Sequence, residues 1–212
     1  MVQATARQVK GDSYYGKTAR NYEVRRTRQP WWHVENSEME ALLDTLPRNL
    51  RVVDVPFGTG RFVPMYLERG YQIHGLDASA AMIQQAGEIL GDKIKSCATK
   101  TGTATALPYE DGEFDLLVST RFLRDIIIFK DAKKALAEFA RVTSKYAIIQ
   151  LGQTTAAKGT TPRAGQAMGS KMSAKQIENL LASTGFEIVE KRLVKADEAD
   201  QSEIYHILCK KA

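Results

Sequence analysis

The feature that most constrains the fold is a strand, a glycine turn, a helix and a second strand between residues 51 and 77. The first apolar run ends at Asp54 and breaks into the tight turn Pro56-Phe-Gly-Thr-Gly60. A helical segment covers about 60–69, and the next strand, 72–77, also ends on an acid, Asp77. Glycines allow a backbone to approach a ligand closely. This order therefore predicts a parallel sheet with a nucleoside-cofactor site at its strand ends.

The turn and the two acids favour S-adenosylmethionine over a dinucleotide. Gly58 and Gly60 supply two glycines of the G-x-G-x-x-G fingerprint, but Val63 stands at the third position. Asp54 would repel a pyrophosphate, whereas S-adenosylmethionine carries an ammonium and a sulfonium and no phosphate. Asp77 stands about 20 residues downstream, where a ribose diol would lie. NAD-dependent chemistry is the weaker alternative, and a strand–turn–helix without any ligand fits the turn alone.

Four ordered segments resemble motifs of the class I S-adenosylmethionine-dependent methyltransferases. Residues 54–60 resemble the first motif, usually D-x-G-x-G-x-G, and residues 75–82 resemble the second, an acid before a serine-capped helix. Residues 103–119 are similar to the family's D-A-x-x-L-P-F-x-D-x-S-F-D-x-V segment, and residues 138–142 to the helix before its fifth strand. The resemblance covers about residues 50–151.

The resemblance implies the fold and a single α/β domain. The expected fold is Rossmann-like: a seven-stranded, mostly parallel sheet with helices on both faces, an antiparallel last strand and an N-terminal helical arm. Within 1–212 we expect four parts. They are a helical arm or lid at 1–48, a cofactor-binding core at 49–151, a flexible substrate-side loop at 152–172, and a closing helix and hairpin at 173–212.

Helix-start signals predict where two helices begin. Ser37-Glu-Met-Glu40 has the capping-box pattern and predicts a helix that opens there, with Met39, Leu42 and Leu43 on one face. Ser79 predicts the N-terminus of a second helix, which Gly91 ends.

The resemblance implies a set of cofactor contacts. Asp77 is expected to accept from both ribose hydroxyls, while Asp54 orients the turn or accepts from the ammonium. Met82, Thr103 and Ala104 are expected beside the adenine. The full set of predicted cofactor-binding residues is Asp54, Gly58, Gly60, Asp77, Ala78, Met82, Thr103, Ala104, Ser119 and Tyr22.

Ser119 and Tyr22 in that set are placed at the reacting end of the cofactor. Ser119, at the tip of the fourth strand, is expected near the sulfonium. Tyr22, on the arm, is expected to cover the methionine end. No catalytic residue is identified, because methyl transfer relies on alignment and needs a base only when the acceptor carries a proton.

Two positions depart from the family pattern. Pro56 and Phe57 replace the first glycine of the motif and its neighbour, which removes one backbone donor. Thr103 stands where the family usually has an acid that accepts from the adenine amino group. A methyltransferase with a varied site and a non-catalytic S-adenosylmethionine-binding module both remain open.

Charge distribution bears on the methyl acceptor. The net charge is +5, and residues 1–33 hold seven basic against two acidic side chains, so the remainder is neutral. A small-molecule acceptor is the first hypothesis. The alternative is a nucleic acid or protein substrate that docks on the basic arm, 1–33. Cys97 and Cys209 have no metal-site spacing, and no apolar run approaches the roughly 18 residues of a membrane span. We therefore expect no metal and a cytoplasmic protein.

Overall fold

A computed structural model of the chain describes residues 26–124 and 127–212. The strands are β1 Arg51–Asp54, β2 Gln72–Asp77, β3 Cys97–Thr101, β4 Phe114–Ser119, β5 Thr143–Thr154, β6 Phe186–Asp197 and β7 Ser202–Lys211. The main helices are α1 Trp32–Asp44, α2 Val63–Glu68, α3 Ala80–Leu90, α4 Phe129–Val142 and α5 Ala174–Ala182. None of the helices in these two ranges is both long and apolar enough to cross a membrane.

The strands form one seven-stranded sheet in the order β3-β2-β1-β4-β5-β7-β6. Strands β1 to β5 pair in parallel, and β7 is antiparallel to both of its neighbours. The predicted fold, including the antiparallel last strand, is confirmed. The chain changes direction across the sheet between β1 and β4, and such a switch point opens a crevice at the carboxyl ends of the strands.

Helices cover both faces of the sheet, so neighbouring residues of the central strands enter different cores. Val53 packs with Leu136, Phe139 and other residues of α4 and α5. Val52, the next residue, packs instead with Leu42 and other residues of α1, α2 and α3. Burial on both faces explains why the central strands read as continuous apolar runs.

The second helix-start signal is confirmed, and the first is wrong. The Ser79 side chain accepts from the Met82 N–H at 3.3 Å and caps α3. Helix α1, however, begins at Trp32, and the Ser37 hydroxyl inside it donates to the Val34 carbonyl oxygen. The start of α1 has no side-chain cap, so tertiary contacts of its first turn fix it there.

The predicted loop 152–172 begins three residues later than expected, because β5 runs to Thr154. The remainder, 155–172, is described throughout, has no regular secondary structure and is anchored in the core. Met168 and Met172 are fully or almost fully buried within the α4–α5 core. Ile128 and Ala167 form an isolated β-bridge that ties the segment to the start of α4. Its role beside a substrate stays a prediction.

Candidate functional site

A cleft lies at the carboxyl ends of β1, β2 and β4, where the switch point places it. Its wall combines two acids, three arginines and several apolar side chains. The residues that line it are Arg26, Asp54, Val55, Pro56, Phe57, Gly58, Thr59, Arg61, Phe62, Leu76, Asp77, Ala78, Met82, Gly102, Ala104, Thr120, Arg121 and Phe122. The space that these residues enclose is called the cleft.

Asp77 fixes the geometry of the glycine turn. One carboxylate oxygen accepts from the Gly58 N–H at 2.8 Å, and the other accepts from the Ser79 N–H at 2.9 Å. Burial raises the pKa of Asp77, and these two backbone donors oppose that rise. Each carboxylate oxygen can accept a second hydrogen bond. Asp77 therefore holds the turn and still has acceptor capacity towards the cleft.

Asp54 lies deeper, at the end of β1. Its side chain is almost fully buried and accepts from the Tyr66 hydroxyl at 3.1 Å. Burial raises the pKa of Asp54 well above its usual range; the Tyr66 hydrogen bond lowers it, and the negative charge of Asp77 raises it further. A cationic ligand group near Asp54 would favour its ionised form.

Phe57 follows Pro56, which stands where the motif usually has its first glycine, and β2 makes room for the Phe57 ring. The ring is buried and lies against Gly75. A Cβ built on Gly75 would lie 2.5 Å from Cγ of Phe57, far inside van der Waals contact. A Cβ built on Gly60 would also meet the Phe57 ring and Leu90, and the φ of Gly60 is +68°. Gly60 is not among the described residues that line the cleft. The departure at Phe57 is thus a matched packing change.

Substituting alanine for Gly75 is expected to destabilise the protein by about 1–3 kcal/mol, because the new methyl group overpacks the Phe57 ring. The measurement is the free energy of unfolding in urea. Gly87→Ala on α3 is the matched control, since a Cβ there meets nothing within 4 Å, and we expect it to be neutral or stabilising. Equal effects of the two substitutions would contradict this account of Phe57.

Six of the predicted cofactor residues lie at the cleft wall. Those at the wall are Asp54, Gly58, Asp77, Ala78, Met82 and Ala104. Thr103 is exposed, and its hydroxyl lies 2.9 Å from that of Thr105. Ser119 is buried beside the wall, and its hydroxyl has no partner among the described residues. Tyr22 lies outside the described residues.

Arg61 and Arg121 of the cleft wall belong to a buried ion-pair network that the sequence did not reveal. Glu35 of α1 is 3% exposed, and its Oε2 accepts from Arg61 Nη1 at 2.7 Å and from Arg121 Nε at 2.9 Å. Arg121 Nη2 donates to the same oxygen. Arg61 directly follows the glycine turn, and Arg121 follows β4 with a φ of +54°. The network joins α1 to both sides of the switch point.

Two buried polar side chains from the sheet complete the network. Gln150 of β5 donates to Glu35 Oε1 at 2.8 Å and accepts from the Arg121 N–H at 3.0 Å. His206 of β7 is fully buried, with Nε2 3.1 Å from the Glu35 backbone oxygen. That carbonyl can only accept, so the neutral ring carries its proton on Nε2. Both polar residues interrupt apolar strands, and this was the available sequence signal for a buried network.

Lowering the pH is expected to destabilise the protein through His206. Burial lowers the pKa of folded His206 to about 4, below the ordinary value of 6.5. The unfolded chain therefore takes up a proton below pH 6.5 that the folded chain cannot bind until about pH 4. The contribution of His206 is complete above pH 6.5 and falls by about 2–3 kcal/mol across this window.

Urea unfolding between about pH 7 and about pH 4.5 measures this effect. His206→Gln keeps a donor towards the Glu35 carbonyl and does not titrate, so its loss of stability in acid should be smaller than that of the native chain. Parallel pH profiles of the two proteins would show that His206 does not carry the dependence.

Residues 53–149 match the sequence model of a family described as methyltransferase domain. Over 93 residues the chain is 39% identical to a demethylmenaquinone methyltransferase of Renibacterium salmoninarum; the match covers 44% of this chain and 36% of that protein. The match therefore spans about a third of the relative's length.

Solved structures share the fold at low identity. The 1,6-didemethyltoxoflavin-N1-methyltransferase of Burkholderia thailandensis, with bound 1,6-didemethyltoxoflavin and S-adenosylhomocysteine, has a TM-score of 0.68 at 15% identity, covering 99% of this chain and 93% of its own. The [4+2]-cyclase SpnF also has a TM-score of 0.68, at 17% identity, over 87% of this chain and 83% of its own. Residues 53–149 therefore match the methyltransferase domain family, and the chain has the Rossmann-like fold of S-adenosylmethionine-dependent methyltransferases.

Proposed function

We propose that the chain binds S-adenosylmethionine in the cleft and transfers its methyl group to a small-molecule acceptor. The observation that carries the proposal is the pair of buried acids, Asp54 and Asp77, on either side of the Gly58 turn at the switch point. The match of residues 53–149 to a methyltransferase domain supports the choice of cofactor. The acids suit a ligand with cationic groups and hydroxyl donors.

The residues present fit this cofactor. Gly58 has a φ of +57°, and the nearest atom to a Cβ built there is Met82 Cε at 3.9 Å, so the turn leaves open space beside its backbone. Leu76, Met82 and Ala104 give the cleft an apolar wall of the kind that a flat nucleobase requires. Asp77 retains acceptor capacity for ribose hydroxyls next to that wall.

When bound, the cofactor supplies a methyl group that its sulfonium already activates. What this chain must provide is binding, orientation and exclusion of water. Asp54 and Asp77 are held by Tyr66 and by backbone donors, so both carboxylates are oriented before a ligand arrives. Phe62 and Phe122 line the cleft with Arg61 and Arg121 and provide apolar surface for an acceptor.

The names of relatives support a small acceptor. The curated relative is named for demethylmenaquinone, and the Burkholderia thailandensis structure contains 1,6-didemethyltoxoflavin. Both are small organic molecules. The cyclase SpnF shares the fold to the same TM-score, so methyl transfer has to be measured directly.

The first experiment is titration calorimetry of the full chain with S-adenosylmethionine and S-adenosylhomocysteine, with NAD as the control ligand. We expect binding of the first two and none of NAD. Transfer of a labelled methyl group to a panel of small acceptors is the second step. Binding without transfer to any acceptor would leave a binding module, and failure of both cofactor forms to bind the folded protein would refute the proposal.

The alternative is a nucleic acid or protein substrate that docks on the basic arm, 1–33, most of which lies outside the described residues. Of its basic side chains, Arg26 lines the cleft and Arg28 is exposed. For the nucleic acid case, titration with an oligonucleotide at several salt concentrations separates the hypotheses, because phosphate contacts make affinity fall steeply with salt. Tight, salt-sensitive binding would favour a nucleic acid substrate.

A further inference from the structure

Arg61 and Arg121 bring more positive charge to the cleft than Glu35 balances. Both guanidinium groups bond to one oxygen of Glu35, and both residues line the cleft. Their side chains are only 14% and 10% exposed, so water screens them poorly. One carboxylate shared by two guanidinium groups leaves one positive charge unbalanced at this wall.

Each guanidinium also keeps donors in reserve. Of its five N–H bonds, Arg61 uses three within the described residues, to Glu35, Asn36 and the Trp32 carbonyl oxygen. Arg121 likewise uses three, one to Gln29 and two to Glu35. The Trp32 ring lies 4.7 Å from Arg61 Cζ. The two planar groups are therefore fixed in place before any ligand binds, which lowers the entropic cost of binding.

The cleft wall offers little to remove a proton from a neutral acceptor. Among the described residues that line it there is no histidine, lysine, tyrosine, cysteine or glutamate. Asp54 and Asp77 are present, but the proposed function assigns the remaining acceptor capacity of both to the cofactor. An acceptor that is ionised in solution needs no base.

The formal charges of the cleft and of the cofactor also favour an anionic second ligand. Asp54, Asp77 and Glu35 balance Arg26, Arg61 and Arg121, so these six side chains sum to zero. S-adenosylmethionine has one carboxylate, one ammonium and one sulfonium and brings a net positive charge. The cleft with this cofactor would therefore hold one excess positive charge, which a single anionic group neutralises.

We propose that the second ligand of the cleft is a small apolar organic anion, such as an aromatic carboxylate, held by Arg61 and Arg121. A carboxylate presents two oxygens to two neighbouring planar donors, the arrangement that arginine favours. Phe62 and Phe122 line the same cleft and suit an apolar body. This assignment of the acceptor class rests on the proposed methyltransferase function.

Calorimetry on the full chain saturated with S-adenosylhomocysteine tests the proposal, with benzoate and its neutral analogue benzamide as probes. We expect benzoate to bind at least roughly tenfold more tightly than benzamide, because charge-assisted hydrogen bonds are the stronger ones. Arg121→Gln should weaken benzoate binding by roughly tenfold or more while benzamide changes little. In this variant Glu35 keeps Arg61 and Gln150 as partners.

Arg163→Gln is the matched control, since it removes the same charge from an exposed position that does not line the cleft. If the thermal midpoint shows that Arg121→Gln does not fold, Arg61→Gln makes the same test. The proposal is overturned if benzamide binds as well as benzoate, if the arginine variants keep benzoate affinity, or if neither probe binds at millimolar concentration.

The cofactor titration tests the proposed function, and the benzoate titration tests the anion site. If neither S-adenosylmethionine nor S-adenosylhomocysteine binds, the proposed function fails, and benzoate is then titrated into the protein alone. A preference for benzoate that Arg121→Gln abolishes would still support the anion site, and its absence would overturn it.

Discussion

Glu35→Gln is expected to lower the free energy of unfolding by about 3–5 kcal/mol, because it leaves Arg61 and Arg121 buried without a counter-charge. The carboxylate is 3% exposed and is the shared partner of both guanidinium groups. Glutamine has nearly the same volume, so the change tests charge rather than packing. Its amide nitrogen would face either the guanidinium groups or the Gln150 amide nitrogen, and each of these is a donor. Urea unfolding at neutral pH gives the free energy.

Glu178→Gln is the control for the loss of a carboxylate. Glu178 pairs with Lys175 one turn earlier on α5, and the two side chains are 54% and 73% exposed. Exposed pairs of this kind contribute about 0.3–0.5 kcal/mol. If Glu35→Gln cost no more than this control, the buried network would not contribute materially to stability.

Asp77→Asn is expected to weaken binding of S-adenosylhomocysteine by roughly a hundredfold or more. Hydrogen bonds to a charged group are worth about 1.5–3 kcal/mol each, and two ribose hydroxyls are expected to donate to this carboxylate. Asparagine keeps one carbonyl oxygen but turns the other acceptor into a donor. That amide group must face the Gly58 N–H, the Ser79 N–H or the ribose, and each of these is a donor.

Titration calorimetry measures this effect, at a temperature where circular dichroism shows the variant to be folded. Asp92→Asn is the matched control. Asp92 lies in the 3₁₀ turn after α3, its side chain is 93% exposed, and it pairs only with Lys95 within the described structure. The control should bind like the native chain. Native affinity in Asp77→Asn would rule out the ribose role of Asp77.

The fold was predictable because its signals are local in the sequence. The apolar runs of β1 and β4, the Gly58 turn and the Ser79 cap each act over a few residues, and the structure confirms each of them. The capping-box pattern at Ser37 failed for a related reason. Ser-x-x-Glu also fits inside a helix, and the start of α1 is set by contacts with Arg61, which is distant in sequence.

The candidate site was predictable only on its motif-bearing side. Asp54 and Gly58 stand in the first motif and Asp77 in the second, and the strand–turn–helix–strand order between residues 51 and 77 brings the two motifs together. Partners of the buried network are separated by 26 positions for Glu35 and Arg61 and by 171 for Glu35 and His206. Nothing local distinguishes Glu35 from an exposed helical acid, because its partners come from four other places in the chain. They are Arg61 after the glycine turn, Arg121 after β4, Gln150 of β5 and His206 of β7.

The partners of Glu35 are distant from it in the sequence, and this has a consequence for biosynthesis. Its partners include Gln150 of β5 and His206 of β7, and β7 lies in the sheet between β5 and β6. The ribosome releases the Gly58 turn and β4 well before residue 206, and domains generally fold as synthesis proceeds. A nascent chain without β7 therefore contains the residues of the glycine turn, while the network that holds Arg61 and Arg121 still lacks His206. The half of the cleft assigned to the cofactor is built early, and the half assigned to the acceptor is built last.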